Sequence, residues 1–230
     1  MRGLSRTSLA EVEERFNAVA AGADLGTLSD ELFAVADLLD REHGLRRALS
    51  DPSRSGEQKA RTARSLLEGK VGEATIETTE AAVAAKWSRA GDLADVLERL
   101  GVVAAAAEAE GQSRLDEVED ELFRFGRIVA ANPDLRRALV DPGAPEAGKR
   151  ELLSGLLGGK VAPTSLRLIS QLVAHPVGVA WRRAWKRSAS SWLSSVSALW
   201  RWCAARSSCP RDSGSASRRG CAPPTAVTCT

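Results

Sequence analysis

The sequence predicts an all-α protein built as two tandem helical bundles, and three observations predict it. First, a block returns without a gap 90 residues later: Asp30-Glu31-Leu32-Phe33 as Asp120-Glu121-Leu122-Phe123, Leu45-Arg46-Arg47-Ala48-Leu49 as Leu135-Arg136-Arg137-Ala138-Leu139, and Gly69-Lys70-Val71 as Gly159-Lys160-Val161. Over 30–71 against 120–161, 17 of 42 positions are identical, among them Asp51-Pro52 with Asp141-Pro142 and Lys59 with Lys149. Core leucines, a turn dipeptide and charged residues recur together, which shared helical composition does not explain. Second, residues 1–176 are sparse in Gly and Pro, have only short β-branched runs, and are dominated by Ala, Leu, Glu and Arg. Third, the chain changes character near residue 177. Residues 1–176 carry 23 basic and 29 acidic side chains, a net of −6, whereas 177–230 carry nine basic and one acidic, a net of +8. A 90-residue period is too long for a solenoid unit and fits a small helical domain. The expected organisation is a first bundle copy over 1–91, a second over 92–176, and a disordered basic tail over 177–230, with 30–90 and 120–176 superposing.

The elements follow in order. Ser8 to Ala20 predicts a first helix, with Ser8 and Glu11 as a capping box. Ser29 is expected to open the next, with Leu32, Val35, Ala36 and Leu39 at helical spacing; its copy uses Leu122, Phe125 and Val129. A short helix at Leu45–Leu49 is stopped by Asp51-Pro52, because proline disfavours helix at the residue before it. Ser55 or Gly56 then starts a helix through Leu67, closed by Gly69. Glu73 to Arg89 predicts another, and Asp92 to about Val129 reads as one long helix weakened near Gly111. Every Leu, Phe and Val here is expected in the core, and both Leu66-Leu67 and Leu156-Leu157 are expected to be buried at least in part.

Chemistry-bearing constellations are scarce. Gly155, Gly158 and Gly159 before Lys160 resemble a phosphate loop, but Ser154 stands at the first glycine position and Val161 offers no hydroxyl for magnesium. The first copy has Arg64 and Val71 there, so a helix C-cap is the better reading. His43 and His175 stand alone in different copies with no Cys or carboxylate cluster, which excludes neither core nor surface roles but gives no metal or catalytic set. Arg46-Arg47 and Arg136-Arg137 read as a solvated, stem-packed helix face, with docking of an acidic partner as the sharper alternative. In the tail, Cys203, Cys209, Cys221 and Cys229 have poor zinc spacing. Trp181, Trp185 and Trp192 sit among Arg, Ser and Ala without a sustained apolar face, and beyond Arg206 the Ser, Pro, Arg and Gly content reads as disorder. No catalytic residue, cofactor site or metal site is assigned. No stretch reaches the 18 or so apolar residues of a spanning helix. Cys-free residues 1–202 suit a reducing cytoplasm.

The repeated block resembles the δ subunit of the F-type ATP synthase, whose mitochondrial counterpart is the oligomycin-sensitivity-conferring protein. The residues that carry the resemblance are Leu135-Arg136-Arg137-Ala138-Leu139, Asp141-Pro142, Lys149, Leu152-Leu153 and Leu156-Leu157. They match the family's amino-terminal bundle over about 120–176, with a second copy at 30–90. The resemblance implies a non-catalytic peripheral-stalk part on the cytoplasmic face of the cell membrane, peripheral and held there only through its complex. It implies F1 α subunits as partners, their amphipathic N-terminal helices accepted in a bundle groove, and the peripheral-stalk b subunit as a second partner. The family's carboxy-terminal segment does not follow. Back-translating 179–230 with GC-rich codons and restoring one C after Gly178 yields a Cys-free, Glu-containing frame with VRSAVVLSPGQRERL, similar to the missing segment. The tail is therefore expected to be out of frame and unable to grip the b subunit. The alternative reading is a helical adaptor whose basic tail binds nucleic acid or an anionic membrane.

Overall fold

Ten helices and no strand occupy the residues that the computed structural model describes, 3–141 and 143–174. Pro142, His175 and the whole basic tail, with its four cysteines and five of the six tryptophans, lie outside the described residues. The helices are α1 (Gly3–Ala20), α2 (Leu25–Arg41), α3 (His43–Ser50), α4 (Gly56–Leu67), α5 (Glu73–Ala84), α6 (Gly91–Gly111), α7 (Leu115–Ala131), α8 (Pro133–Val140), α9 (Glu146–Leu157) and α10 (Pro163–Ala174). The bounds of α7 to α10 are those of α2 to α5 shifted by 90 residues, and α1 shifted likewise falls inside α6.

The local chemistry follows the same shift. Ser55 caps α4, its hydroxyl accepting from the Gln58 amide. Gly69 and Gly159 close α4 and α9 with φ of 74° and 71°, the left-handed region that costs glycine nothing. Lys70 and Lys160 each turn their ammonium back onto the carbonyl four residues earlier, Leu66 at 2.9 Å and Leu156 at 3.0 Å, where the helix leaves its last acceptors open. Glu31 on α2 accepts from the Gly72 amide at the start of α5, and Glu121 on α7 accepts from the Ala162 amide at the start of α10. A carboxylate at a helix N-terminus is favourable there, so both copies of this glutamate fasten one helix to the head of another.

Several boundaries differ from expectation. α2 starts at Leu25 rather than Ser29, because Asp24 takes the N-cap role and accepts from the Gly26 amide and the Thr27 hydroxyl. Ser29 is instead buried, its hydroxyl donating to the Gly101 carbonyl at 2.9 Å. Ser8 is likewise inside α1, not at its start, and donates to the Lys86 carbonyl. α5 ends at Ala84, five residues short of Arg89, where the Trp87 indole donates back to the Ala82 carbonyl and the buried Lys59 ammonium donates to that of Ala85. The expected long helix from Asp92 to Val129 is two helices, broken at Gln112–Arg114 with Ser113 at φ 55°.

Two apolar clusters form, and α6 serves both. Its Leu93, Val96, Leu97 and Leu100 pack with α1 to α5, whereas Ala105, Ala106 and Ala109 pack with α7, α9 and α10. Not every apolar residue is core: Leu38, Leu66, Phe123, Ile128, Leu152 and Leu156 are exposed. The Leu-Leu pairs split, with Leu67 and Leu157 inside and Leu66 and Leu156 out. Leu157→Ala should therefore cost about 2–5 kcal/mol in urea unfolding, and Leu156→Ala less than about 1 kcal/mol. Equal losses at the two sites would contradict this packing.

Candidate functional site

The repeated tetrapeptide shows how identical residues acquire different work. Leu32 and Leu122 are both core. Asp30 reaches across to Arg167 on α10 at 2.7 Å, while Asp120 pairs with Arg124 one turn along its own helix. Phe33 is 4% exposed, packed where a Cβ on Gly101 of α6 would stand 2.8 Å from its ring. Phe123 is 49% exposed, with the Arg127 guanidinium 6.0 Å from its ring centre. α6 covers α2, and among the described residues nothing covers the equivalent face of α7.

A second asymmetry concerns the helix pairs α6/α10 and α1/α5, which occupy equivalent places in the 90-residue register. Against α6 and α10 lies another helix, α2. It presents Asp30, Phe33 and Asp37 at i, i+3 and i+7, the spacing of one helical stripe. Arg167 on α10 bonds Asp30 and also Glu108 on α6 at 2.7 Å, Gln171 donates to Asp37 at 3.0 Å, and Phe33 packs in the cluster of Ala105, Ala106 and Ala109. The molecule thus holds one helix in the groove between two others.

The groove between α1 and α5 is built at the same register from residues left accessible. Ala105 corresponds to Arg15, which is exposed and pairs with Glu77 across the groove at 2.7 Å. Buried Ala109 and Thr164 correspond to half-buried Val19 and Ala74, and Gln171 corresponds to half-buried Ala81. Beneath them Val12, Phe16, Thr78 and Val83 close the floor. The outcome is an accessible seam, hereafter the trough, with half-buried Val19 on α1 and Ala74 and Ala81 on α5, crossed by the exposed Arg15–Glu77 ion pair. Such a pair is worth little, so an entering helix displaces it at small cost. The trough offers no chemistry; it can take an amphipathic helix along one stripe.

The residues singled out from sequence are not brought together. Gly155 lies in the last turn of α9, and Gly158, Gly159 and Lys160 form its C-terminal cap, with the Gly158 amide donating to the Ser154 carbonyl at 2.8 Å. His43 is exposed at the start of α3. Arg46 is tied to Asp40 at 2.9 Å and Arg137 to Asp134 at 3.2 Å, while Arg47 and Arg136 face solvent. Among the described residues no group of three or more His, Cys, Asp or Glu could hold a metal ion, and no helix is long and apolar enough to cross a membrane. The groove residues Arg15, Glu77 and Ala81 were not anticipated. The signal that finds them is where the two copies differ in polarity: Arg15 against Ala105, Glu77 against Arg167, Ala81 against Gln171.

Comparison with known proteins points one way. A family model described as "ATP synthase delta (OSCP) subunit" matches residues 102–176. The chain is 48% identical over 178 residues to "ATP synthase subunit delta" of Thermobifida fusca, covering 77% of this chain and 66% of that one. It is 45% identical over 201 residues to the protein of that name in Streptomyces coelicolor, covering 86% of this chain and 70% of the relative. It is 44% identical over 183 residues to that of Kineococcus radiotolerans, covering 79% and 66%. The chain spans about two thirds of the length of these relatives.

Proposed function

Since the chain belongs to the δ (OSCP) subunit family of the ATP synthase, we propose that it is a non-catalytic part of the stator, which links the F1 head to the peripheral stalk so that proton-driven rotation is coupled to ATP synthesis, with its helical bundles supplying the grip on the head and its out-of-frame tail not supplying the grip on the b subunit. Proton flow and nucleotide chemistry then belong to other subunits. The chain sits on the cytoplasmic face of the cell membrane through its complex. Its two bundles correspond to 1–91 and 92–176, with α6 shared between their cores.

The observation that carries this reading is the α1/α5 trough. Its counterpart between α6 and α10 already holds a helix, α2, through Arg167, Gln171 and the Phe33 contact. The first bundle is therefore the one with room for a helix from outside, and the amphipathic N-terminal helices of the F1 α subunits are the occupants. The alternative, an adaptor with a nucleic-acid- or membrane-binding tail, rests on residues outside the described ones and on no relative. The experiment is capture of isolated F1 head by this chain, before and after proteolytic removal of the α-subunit N-terminal segments. Capture that depends on those segments is expected; equal capture by trimmed head would overturn the assignment.

A further inference from the structure

The groove that α2 fills and the trough that stays open are each crossed by an ion pair, and the two pairs have opposite polarity. Between α6 and α10 the acid is on the first helix and the base on the second, with Glu108 meeting Arg167 at 2.7 Å. Between α1 and α5 the base is on the first helix and the acid on the second, with Arg15 meeting Glu77 at 2.7 Å. Glu77 stands at the register position of Arg167, so the charge at that point is reversed, while Glu108 and Arg15 each correspond to an alanine, Ala18 and Ala105. Arg167 does more than cross its groove. Its Nε donates to Asp30 of the seated helix at 2.7 Å, one turn before the buried Phe33, while its Nη1 holds Glu108. The residue at this position therefore sets the charge of the helix that lies over it. Glu11 shares the exposed face of α1 with Arg15 and adds an acid to the rim of the trough.

We propose that Glu77 is the specificity-determining residue of the trough, selecting a helix whose docking stripe carries Lys or Arg at the point where α2 carries Asp30. The inference rests on the reading of the trough as the seat of a helix from outside. The Arg15 and Glu77 side chains are 57% and 33% exposed, so their bond is weak and Glu77 is free to turn to an incoming cation. A Lys or Arg laid over it gains a charge-assisted hydrogen bond. An Asp or Glu laid over it meets a like charge and is repelled. The chain's own α2 stripe is thus matched to Arg167 and mismatched to Glu77. The reversal gives two grooves at the same register different occupants: an acidic stripe is kept for the internal seat, and the trough refuses the α2 helix of a second chain.

The test titrates the full chain into two labelled synthetic peptides that copy Leu25–Arg41, one as in the chain and one with Asp30→Lys, and reads fluorescence anisotropy at low ionic strength. The Lys peptide should bind the native chain about tenfold more tightly than the Asp peptide. The double swap Arg15→Glu with Glu77→Arg keeps an ion pair across the trough but gives it the polarity of Glu108 and Arg167, and it should invert the preference. Glu77→Gln should bind the two peptides alike. Ala81→Trp should remove binding of the Lys peptide, which places that peptide in the trough, and circular dichroism of each variant reports that its helices are intact. Equal affinities for the native chain, binding of neither peptide, or a preference that survives the swap would each overturn the selection. Capture of F1 head through its α-subunit segments, with no peptide preference, would sink the role of Glu77 and leave the stator reading standing. The expected preference and its inversion, with head capture indifferent to those segments, would support the role of Glu77 and sink the reading instead.

Discussion

Phe33→Ala should lower the free energy of unfolding by about 3–5 kcal/mol, and Phe123→Ala by about 1 kcal/mol or less. The two residues are the same letter in the same repeated tetrapeptide, 90 positions apart. Their surroundings are not the same. Phe33 fills the space that Gly101 leaves on α6, and any larger residue on α6 at that point would overlap its ring. Removing it leaves a cavity between two helices that cannot collapse, because Ser29 holds α2 to the Gly101 carbonyl alongside. Phe123 is half-exposed and has the Arg127 guanidinium 6.0 Å from its ring centre, so its truncation removes little buried area. Urea unfolding of both variants measures the difference. Comparable losses would show that the α7 face is covered in solution, and the asymmetry between the two copies would have to be abandoned.

The helices themselves were legible in the sequence where they are governed locally. α3, α4 and their copies end at an Asp-Pro turn or a left-handed glycine, and both signals act over a few residues. Expectation went astray where a polar residue with capping chemistry was taken up by a distant partner. Ser8 and Ser29 look like N-caps, yet their hydroxyls serve the carbonyls of Lys86 and Gly101, which lie 78 and 72 residues away. α5 stops at Ala84 because Lys59 and Trp87 use its last carbonyls, again a tertiary cause. The groove was illegible for a related reason. Arg15, Glu77 and Ala81 are ordinary surface residues until their counterparts Ala105, Arg167 and Gln171 are seen against α2. No pattern along α1 or α5 says whether a helix lies on them.

In the two-bundle reading proposed above, α6 is both the cover of α2 and the counterpart of α1, so the second bundle would use the side equivalent to the α1/α5 groove to bind the first. Arg167, a side chain only 24% exposed, then does within the chain what a docking groove does between chains: it bonds Asp30 of the α2 stripe while Glu108 of α6 holds it from the groove side. The face that would otherwise offer a second site for an external helix is already filled by α2. In the proposed function, the α1/α5 groove is then the one among the described residues that is left for the head.

Ala81→Trp should for this reason weaken binding of an α-subunit N-terminal helix peptide by about 100-fold or more, the scale of an interface hot spot of roughly 2–4 kcal/mol. Ala81 sits at the point that Gln171 occupies when it meets α2, so a docked helix must pass directly over it. An indole there blocks approach without touching the core, since Ala81 is already half-exposed and the floor beneath is carried by Thr78 and Val83. Ala81→Ser keeps the size and should bind as the native chain does, which separates obstruction from loss of a methyl group. Phe123→Ala should also leave binding unchanged, because the α7 face takes no part. Titration of a labelled peptide by fluorescence anisotropy gives all three affinities, and circular dichroism of each variant reports whether the helices are intact. A folded Ala81→Trp chain that binds with native affinity, while Phe123→Ala does not, would move the docking site from the α1/α5 trough to α7.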